Sequence, residues 1–96
     1  MFIVNLTYVT SLDAVEAALA GHREFLAKQY QNGTFLLSGR KEPRTGGIIL
    51  AKADSMAHLQ QVLADDPFRQ QGIANYEIIE FHPTMSAAGL HHLQDI

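Results

Sequence analysis

Residues 34–53 read TFLLSGRKEPRTGGIILAKA and contain two short apolar segments on either side of a polar loop. The first segment predicts a strand over residues 34–38 that Gly39 closes. The second segment, introduced by Gly46-Gly47, predicts a strand over residues 48–53. Two strands therefore follow each other along the chain, with no helix between them.

A strand and a long helix are predicted before this pair. Residues 2–9 alternate apolar and mixed side chains, which is the period of a strand. Over residues 12–30 the apolar side chains recur at helical spacing instead. Thr10, with Asp13 three residues later, is typical of a helix start, and Gly33 is typical of a helix end.

A second helix and a last strand are predicted after the pair. Asp54 or Ser55 caps this helix, since both residue types favour the N-cap position. The helix stops near Asp66, because a residue that precedes proline is disfavoured in the helical conformation. Residues 67–73 form a short helical turn, and residues 76–81 form the last strand.

The order strand, helix, strand, strand, helix, strand predicts an α+β fold of the ferredoxin-like, split βαβ type, with both helices on one face of an antiparallel sheet. The strands are apolar on both faces, whereas a sheet with one solvated face should alternate. The segments concerned are Phe35-Leu36-Leu37, Ile48-Ile49-Leu50 and Ile78-Ile79. We therefore expect a second subunit to cover the free face, giving a homodimer with the form of a dimeric α+β barrel.

Length and charge limit the class of protein further. The 96 residues suffice for one domain, which we assign to residues 1–83, and residues 84–96 form a C-terminal arm that docks on the partner subunit or frays. The net charge of -3 lacks the basic excess typical of proteins that bind nucleic acid. Residues 1–6 contain neither a basic segment nor a long apolar run, so we expect no membrane partner and a cytoplasmic protein.

One histidine and one aspartate, far apart in sequence, form the predicted acid/base pair. His22 lies three residues after Leu19 on the apolar stripe of the first helix, so it points toward the sheet. By itself this pattern favours a core histidine bonded to a backbone carbonyl. Asp66 precedes the rigid Pro67, and we prefer it to Asp65 as the inward carboxylate. A carboxylate beside the imidazole would fix the tautomer that a general base needs.

Small residues and cations surround the predicted strand ends. Ser38-Gly39 and Gly46-Gly47 are equally consistent with turn formation and with the close approach of a small ligand to bare backbone. Arg40 begins a basic loop, which either is a solvated surface or attracts a carboxylate or phenolate. The residues predicted to bind a small-molecule ligand are Ser38, Gly39, Arg40, Gly47 and Phe68.

The sequence predicts no metal site and no cofactor. Cysteine is absent, which excludes thiolate ligands and cysteine nucleophiles. His91 and His92 are adjacent, so on a helix they would diverge and could not share one metal ion. Neither a Gly-x-Gly-x-x-Gly dinucleotide motif nor a Gly-x-Ser-x-Gly nucleophile motif occurs.

Taken in order, four motifs resemble those of the YciI-like, or YCII-related, family. They are His22-x-x-Phe25-Leu26, Gly33-x-Phe35-Leu36-Leu37-Ser38-Gly39, Gly46-Gly47 and Asp66-Pro67-Phe68, over about residues 1–83. The resemblance implies a dimeric, ferredoxin-like α+β barrel with an active site around His22 and Asp66. It also implies chemistry on a small ring compound, since one member eliminates chloride from a chlorinated hydroxyhydroquinone. Arg40 stands where relatives often have proline.

Two hypotheses from different classes follow. In the first, a cofactor-independent enzyme of the lyase or isomerase type acts on a small aromatic or phenolic metabolite. His22 moves a proton, Asp66 orients the imidazole, and Ser38 with nearby backbone N–H groups stabilises an oxyanion. In the second, a non-catalytic module binds a small molecule or serves as an accessory subunit. A cavity that reaches both side chains favours chemistry, and a sealed pair favours structure.

Overall fold

The fold follows the predicted order of elements. A computed structural model describes residues 1–94 of the chain. Its elements are β1 (Phe2–Tyr8), α1 (Leu12–Gln31), β2 (Phe35–Arg40), β3 (Gly46–Ala51), α2 (Met56–Leu63), α3 (Pro67–Gln70) and β4 (Ala74–Glu80), followed by a 3₁₀ turn (His91–Leu93).

All four strands form one antiparallel sheet in the order β2-β3-β1-β4. The first and last strands of the chain therefore pair directly, and Val4 of β1 lies between Ile49 of β3 and Ile78 of β4. This topology is that of the split βαβ, so the predicted ferredoxin-like α+β fold is confirmed.

The hydrophobic core lies between the helices and one face of the sheet. Alternate residues of β1 point into it, and Phe2, Val4 and Leu6 are all buried. The stripe of α1 contributes buried residues at helical spacing, and α2 adds Leu59 and Leu63. The periodicity of β1 thus corresponds to its buried face, whereas Leu12 and Tyr30, at the two ends of the predicted stripe of α1, are exposed.

The opposite face of the sheet carries exposed apolar side chains. The register places Ile3, Leu37, Ile48, Leu50 and Ile79 on this face. Of these, Leu37 is 59% exposed and Ile79 is 50% exposed. We call these five residues the open face.

Two helix boundaries differ from the prediction. Ser11 rather than Thr10 caps α1, since its hydroxyl accepts the N–H of Ala14 at 3.3 Å. The second helix ends at Leu63, before the predicted stop, and Asp66 instead caps the next helix, α3. Proline explains the second difference, because Pro67 fits the first turn of a new helix as well as it ends an old one.

The strands also extend further than predicted around their loop. Gly39 does not close β2, because it pairs with Ile48 and the strand continues to Arg40. Likewise Gly46 and Gly47 belong to β3 rather than preceding it. Glycine tolerates strand geometry where side-chain space is short, so its presence does not by itself end a strand.

The chain beyond β4 is mostly exposed. Residues 84–94 contain one 3₁₀ turn, around which the side chain of Gln94 donates to the hydroxyl of Ser86. Residues 95 and 96 of the predicted arm lie outside the described residues. Within residues 1–94, none of the helices combines the length and the apolar character needed to cross a membrane.

Candidate functional site

His22 and Asp66 are in direct contact, although they are far apart along the chain. Nδ1 of His22 lies 2.8 Å from Oδ1 of Asp66. The imidazole comes from the sheet-facing side of α1, and the carboxylate comes from the turn that starts α3. The His22 side chain is 11% exposed, whereas Asp66 is completely buried.

Asp66 is held in place by the local conformation of its own turn. Its backbone is extended, with φ -74° and ψ 120°, as expected for a residue before proline. Its Oδ1 accepts the backbone N–H of Phe68 at 2.9 Å, so the side chain caps α3. The same oxygen contacts His22, and the cap therefore aims the carboxylate at the imidazole.

A glycine allows α1 and α3 to approach each other at this point. A Cβ atom on Gly21 would lie 3.2 Å from Cγ of Pro67, which is tighter than ordinary van der Waals contact. Because Gly21 precedes His22 and Pro67 follows Asp66, this contact sets the separation of the pair. The glycine thus serves packing, at some cost in helix propensity.

The ring of Phe68 supports the imidazole. The His22 and Phe68 rings are parallel within 2°, and their centroids are 3.9 Å apart. Tyr8 contacts the other side of this cluster, with its ring edge-on to Phe68 at 6.0 Å. Phe68 is 2% exposed, so it acts chiefly as a support that fixes the plane of His22.

Tyr76 completes the environment of Asp66, although it lies outside the predicted site. Its hydroxyl donates to Oδ2 of Asp66. Burial, followed by the hydrogen bond to this carboxylate, raises the pKa of Tyr76 far above its ordinary value. The guanidinium of Arg69 lies 5.2 Å from the centroid of the Tyr76 ring. Only its place on the inward face of the predicted last strand could have indicated this role.

A cavity of about 180 Å³ opens beside His22. Its wall consists of Leu6, Tyr8, Leu19, His22, Arg23, Leu26, Ser38, Gly39, Arg40, Gly46, Gly47, Ile48, Ile49 and Phe68. All five residues predicted to bind ligand are therefore in this wall. Asp66 is not, so the cavity reaches only one member of the pair, and the carboxylate supports the imidazole from behind.

The small residues of the wall differ in what they allow. A Cβ atom on Gly46 would lie 1.8 Å from the carbonyl oxygen of Leu6, so backbone packing alone requires glycine there. A Cβ atom on Gly39 would meet no atom within 4 Å, and because Gly39 pairs with Ile48, this free space lies on the open face. The hydroxyl of Ser38 is hydrogen-bonded to the hydroxyl of Tyr30, a residue that the sequence analysis did not assign to the site.

The remaining predicted candidates lie elsewhere. Asp65, the rejected alternative to Asp66, is exposed to solvent. Across residues 1–94, no group of three or more histidine, aspartate or glutamate side chains could hold a metal ion. The site therefore consists of one imidazole at a cavity, one buried carboxylate behind it, and cations on the wall.

Comparisons with known proteins concern both the sequence and the fold. The model of the YCII-related domain matches residues 1–82. Among solved structures, the fold resembles 5-chloro-2-hydroxyhydroquinone dehydrochlorinase from Burkholderia phenoliruptrix AC1100, in complex with 2,5-dihydroxybenzoquinone. That similarity has a TM-score of 0.70 at 16% sequence identity and covers 84% of this chain and 93% of the other. No curated protein matches the sequence.

Proposed function

Since this chain belongs to the YCII-related domain family, we propose that it is a small enzyme of the lyase or isomerase type that moves protons on a small phenolic or aromatic compound without a cofactor. The observation that carries this proposal is the contact between His22 and Asp66 at the edge of a cavity. An imidazole oriented by a carboxylate is the usual arrangement for general acid/base catalysis.

His22 is the proposed general base, acting through Nε2. An ionised carboxylate only accepts hydrogen bonds, so Nδ1 of His22 carries the proton that faces Asp66 and the lone pair resides on Nε2. A fully buried Nε2 would be a buried nitrogen without a hydrogen bond. Among residues 1–94, the one side-chain oxygen or nitrogen of that kind is Oδ1 of Asn5. Nε2 of His22 is therefore not sealed away, and it can receive a proton from a ligand in the cavity.

Ser38, Gly39 and Gly47 are proposed to face the developing oxyanion. All three line the cavity. The hydroxyl of Ser38 bonds to Tyr30, which can fix the direction of the Ser38 proton. Donors held in place before reaction stabilise charge without reorganisation.

The fold neighbour supports the type of chemistry. That protein is a dehydrochlorinase, and its ligand is a dihydroxybenzoquinone. Elimination of a hydrogen halide requires a base that removes a proton while the leaving group departs, and His22 meets that requirement here. At 16% identity the neighbour does not specify a substrate for this chain.

The active form is proposed to be a homodimer that packs through the open face. Ile48 of this face is 36% exposed, Ile79 is 50% exposed and Leu37 is 59% exposed. An apolar sheet face without cover favours association, and a two-fold axis would place the same side chains of both copies against each other. In this dimer, the described part of the arm, residues 84–94, is proposed to lie on the partner.

The proposal is tested with His22→Gln, which removes the base and keeps a polar side chain of similar size. Chlorinated and unchlorinated hydroxyhydroquinones serve as the substrate panel, with chloride release and uptake of deuterium from solvent as readouts. We expect turnover to fall by about a hundredfold or more, the usual contribution of a general base. His82→Gln is the control, because His82 is exposed and outside the cavity. Undiminished turnover by folded His22→Gln protein contradicts the proposed role.

A non-catalytic binding module is the second candidate, and the burial of Asp66 favours it. The carboxylate caps α3 and does not border the cavity, so the pair also serves the fold. In this case the wild-type protein would bind members of the panel in a thermal-shift measurement and leave them unchanged. Compounds that raise the Tm of the protein but are not converted would identify this second function.

A further inference from the structure

We infer that the cavity selects a substrate with an anionic substituent, and that Arg23 and Arg40 together bind this substituent. The inference rests on the proposed function, since it assigns the substrate class of the same site. Arg23 comes from α1, directly after His22, and Arg40 is the last residue of β2. Both residues line the cavity, and both are exposed.

The two guanidinium groups have no acidic partner in the described part of the chain. The ion pairs among residues 1–94 are His22 with Asp66 and Arg44 with Glu16. Arg44 on the same basic loop is therefore already neutralised, whereas Arg23 and Arg40 are free to bind an anion. Among the described residues, the cavity wall also contains no aspartate or glutamate.

This local positive charge contrasts with the charge of the whole chain. The net charge is -3, yet the acidic and basic side chains of the cavity wall, His22 apart, are two arginines. A cavity lined by one sign of charge concentrates ligands of the opposite sign. Guanidinium groups also bind carboxylates and phenolates through paired N–H donors, which adds orientation to attraction.

The size and the rest of the wall fit a single ring. A cavity of about 150 Å³ accommodates benzene, and this one measures about 180 Å³. Leu19, Leu26 and Ile49 provide apolar contacts for the ring. A monocyclic acid would then place its ring against these side chains, its anionic group at the arginines and a ring proton toward His22.

Binding of benzoate and of its neutral analogue benzamide tests this inference without requiring turnover. Dissociation constants are measured by ligand-observed NMR for the wild type, Arg23→Gln and Arg40→Gln. Lys52→Gln is the matched control, because it removes one positive charge from an exposed side chain outside the cavity. Thermal unfolding of each variant establishes that it is folded.

We expect the wild type to prefer benzoate to benzamide, and each arginine substitution to weaken benzoate by about tenfold without affecting benzamide. Lys52→Gln should retain the preference, and added salt should reduce it. The inference is overturned if the wild type binds both probes equally or binds neither. It is also overturned if Lys52→Gln weakens benzoate binding as much as the arginine substitutions do. A preference that depends on the arginines, in a protein with no turnover of the hydroxyhydroquinone panel, would instead overturn only the proposed function.

Discussion

Substitution of Tyr76 by phenylalanine isolates one of the three hydrogen bonds that Asp66 accepts. The wild-type carboxylate receives Nδ1–H of His22, the backbone N–H of Phe68 and the hydroxyl of Tyr76. Tyr76→Phe keeps the ring, and with it the contact to Arg69, but leaves Oδ2 of Asp66 without its donor. A buried acceptor without a partner is costly, so we expect the variant to be less stable.

The expected loss is about 2 kcal/mol at neutral pH, within the range for hydrogen bonds to charged groups. Asp66 is 0% exposed, so water cannot easily replace the lost donor. For a domain of 96 residues, this loss corresponds to a fall of roughly 8–16 °C in Tm. Measurements at one protein concentration avoid confusing this effect with a change in association.

The stabilising effect of Tyr76 should also depend on pH. Its pKa in the folded protein is raised above the ordinary value of 10.0, because of burial and of the hydrogen bond to Asp66. The folded protein therefore retains the phenolic proton at a pH at which the unfolded chain releases it. The contribution is complete below pH 10 and declines above it, by at most about 1.4 kcal/mol per pH unit.

Urea unfolding of the wild type and Tyr76→Phe at pH 7 and at pH 11 measures both effects. Tyr30→Phe is the control, since it also removes a tyrosine hydroxyl that is hydrogen-bonded to a side chain. Tyr30, however, is 39% exposed. We expect the control to lose less than about 1 kcal/mol, as an exposed neutral hydrogen bond usually contributes. The reasoning is refuted if Tyr76→Phe costs no more than Tyr30→Phe, or if the difference from wild type is unchanged at pH 11.

Three further predictions concern packing. Gly46→Ala should lower the free energy of unfolding by about 3 kcal/mol or more, because its Cβ would overlap the Leu6 carbonyl. The control Gly39→Ala should change this free energy by no more than about 0.5 kcal/mol, and urea unfolding measures both variants. Gly21→Ala should push α3 away from α1 and lengthen the contact of the acid/base pair, which the ring-nitrogen chemical shifts of the histidine report; unchanged shifts would contradict this. Leu37→Asp should convert the proposed dimer to a monomer in analytical ultracentrifugation, while the control Leu12→Asp, at a similarly exposed leucine on α1, should not.

The order of the elements and their buried faces could be predicted from local patterns. Period-two alternation identified the inward side of β1, and helical spacing placed His22 among the buried residues of α1. The ends of the helices were harder to predict, because several residues near a helix end can serve as its cap. Ser11 and Thr10 are both suitable caps, and only the backbone geometry distinguishes them.

The site depends on contacts between elements that are distant in sequence. Spacing alone could not bring His22 and Asp66 together, and the family resemblance was what paired them. The carboxylate also receives Tyr76 from β4, and no local pattern links a tyrosine on the last strand to the start of α3. The position of Arg23 in the cavity wall could not be predicted for a similar reason, since a cation on a helix is ordinarily solvated.

The proposed catalytic role accounts for a feature of the pair that packing alone does not explain. Apolar side chains of similar volume often replace buried ionic pairs with no loss of stability, so packing alone does not require His22 and Asp66. The pair differs from such a packing unit in one respect, because the imidazole reaches the cavity while the carboxylate stays buried. Burial of Asp66 restricts its hydrogen bonds to three protein donors, and the Phe68 ring fixes the imidazole plane. In the proposed function, this support would direct one imidazole nitrogen toward a ligand in the cavity, which an apolar pair could not do.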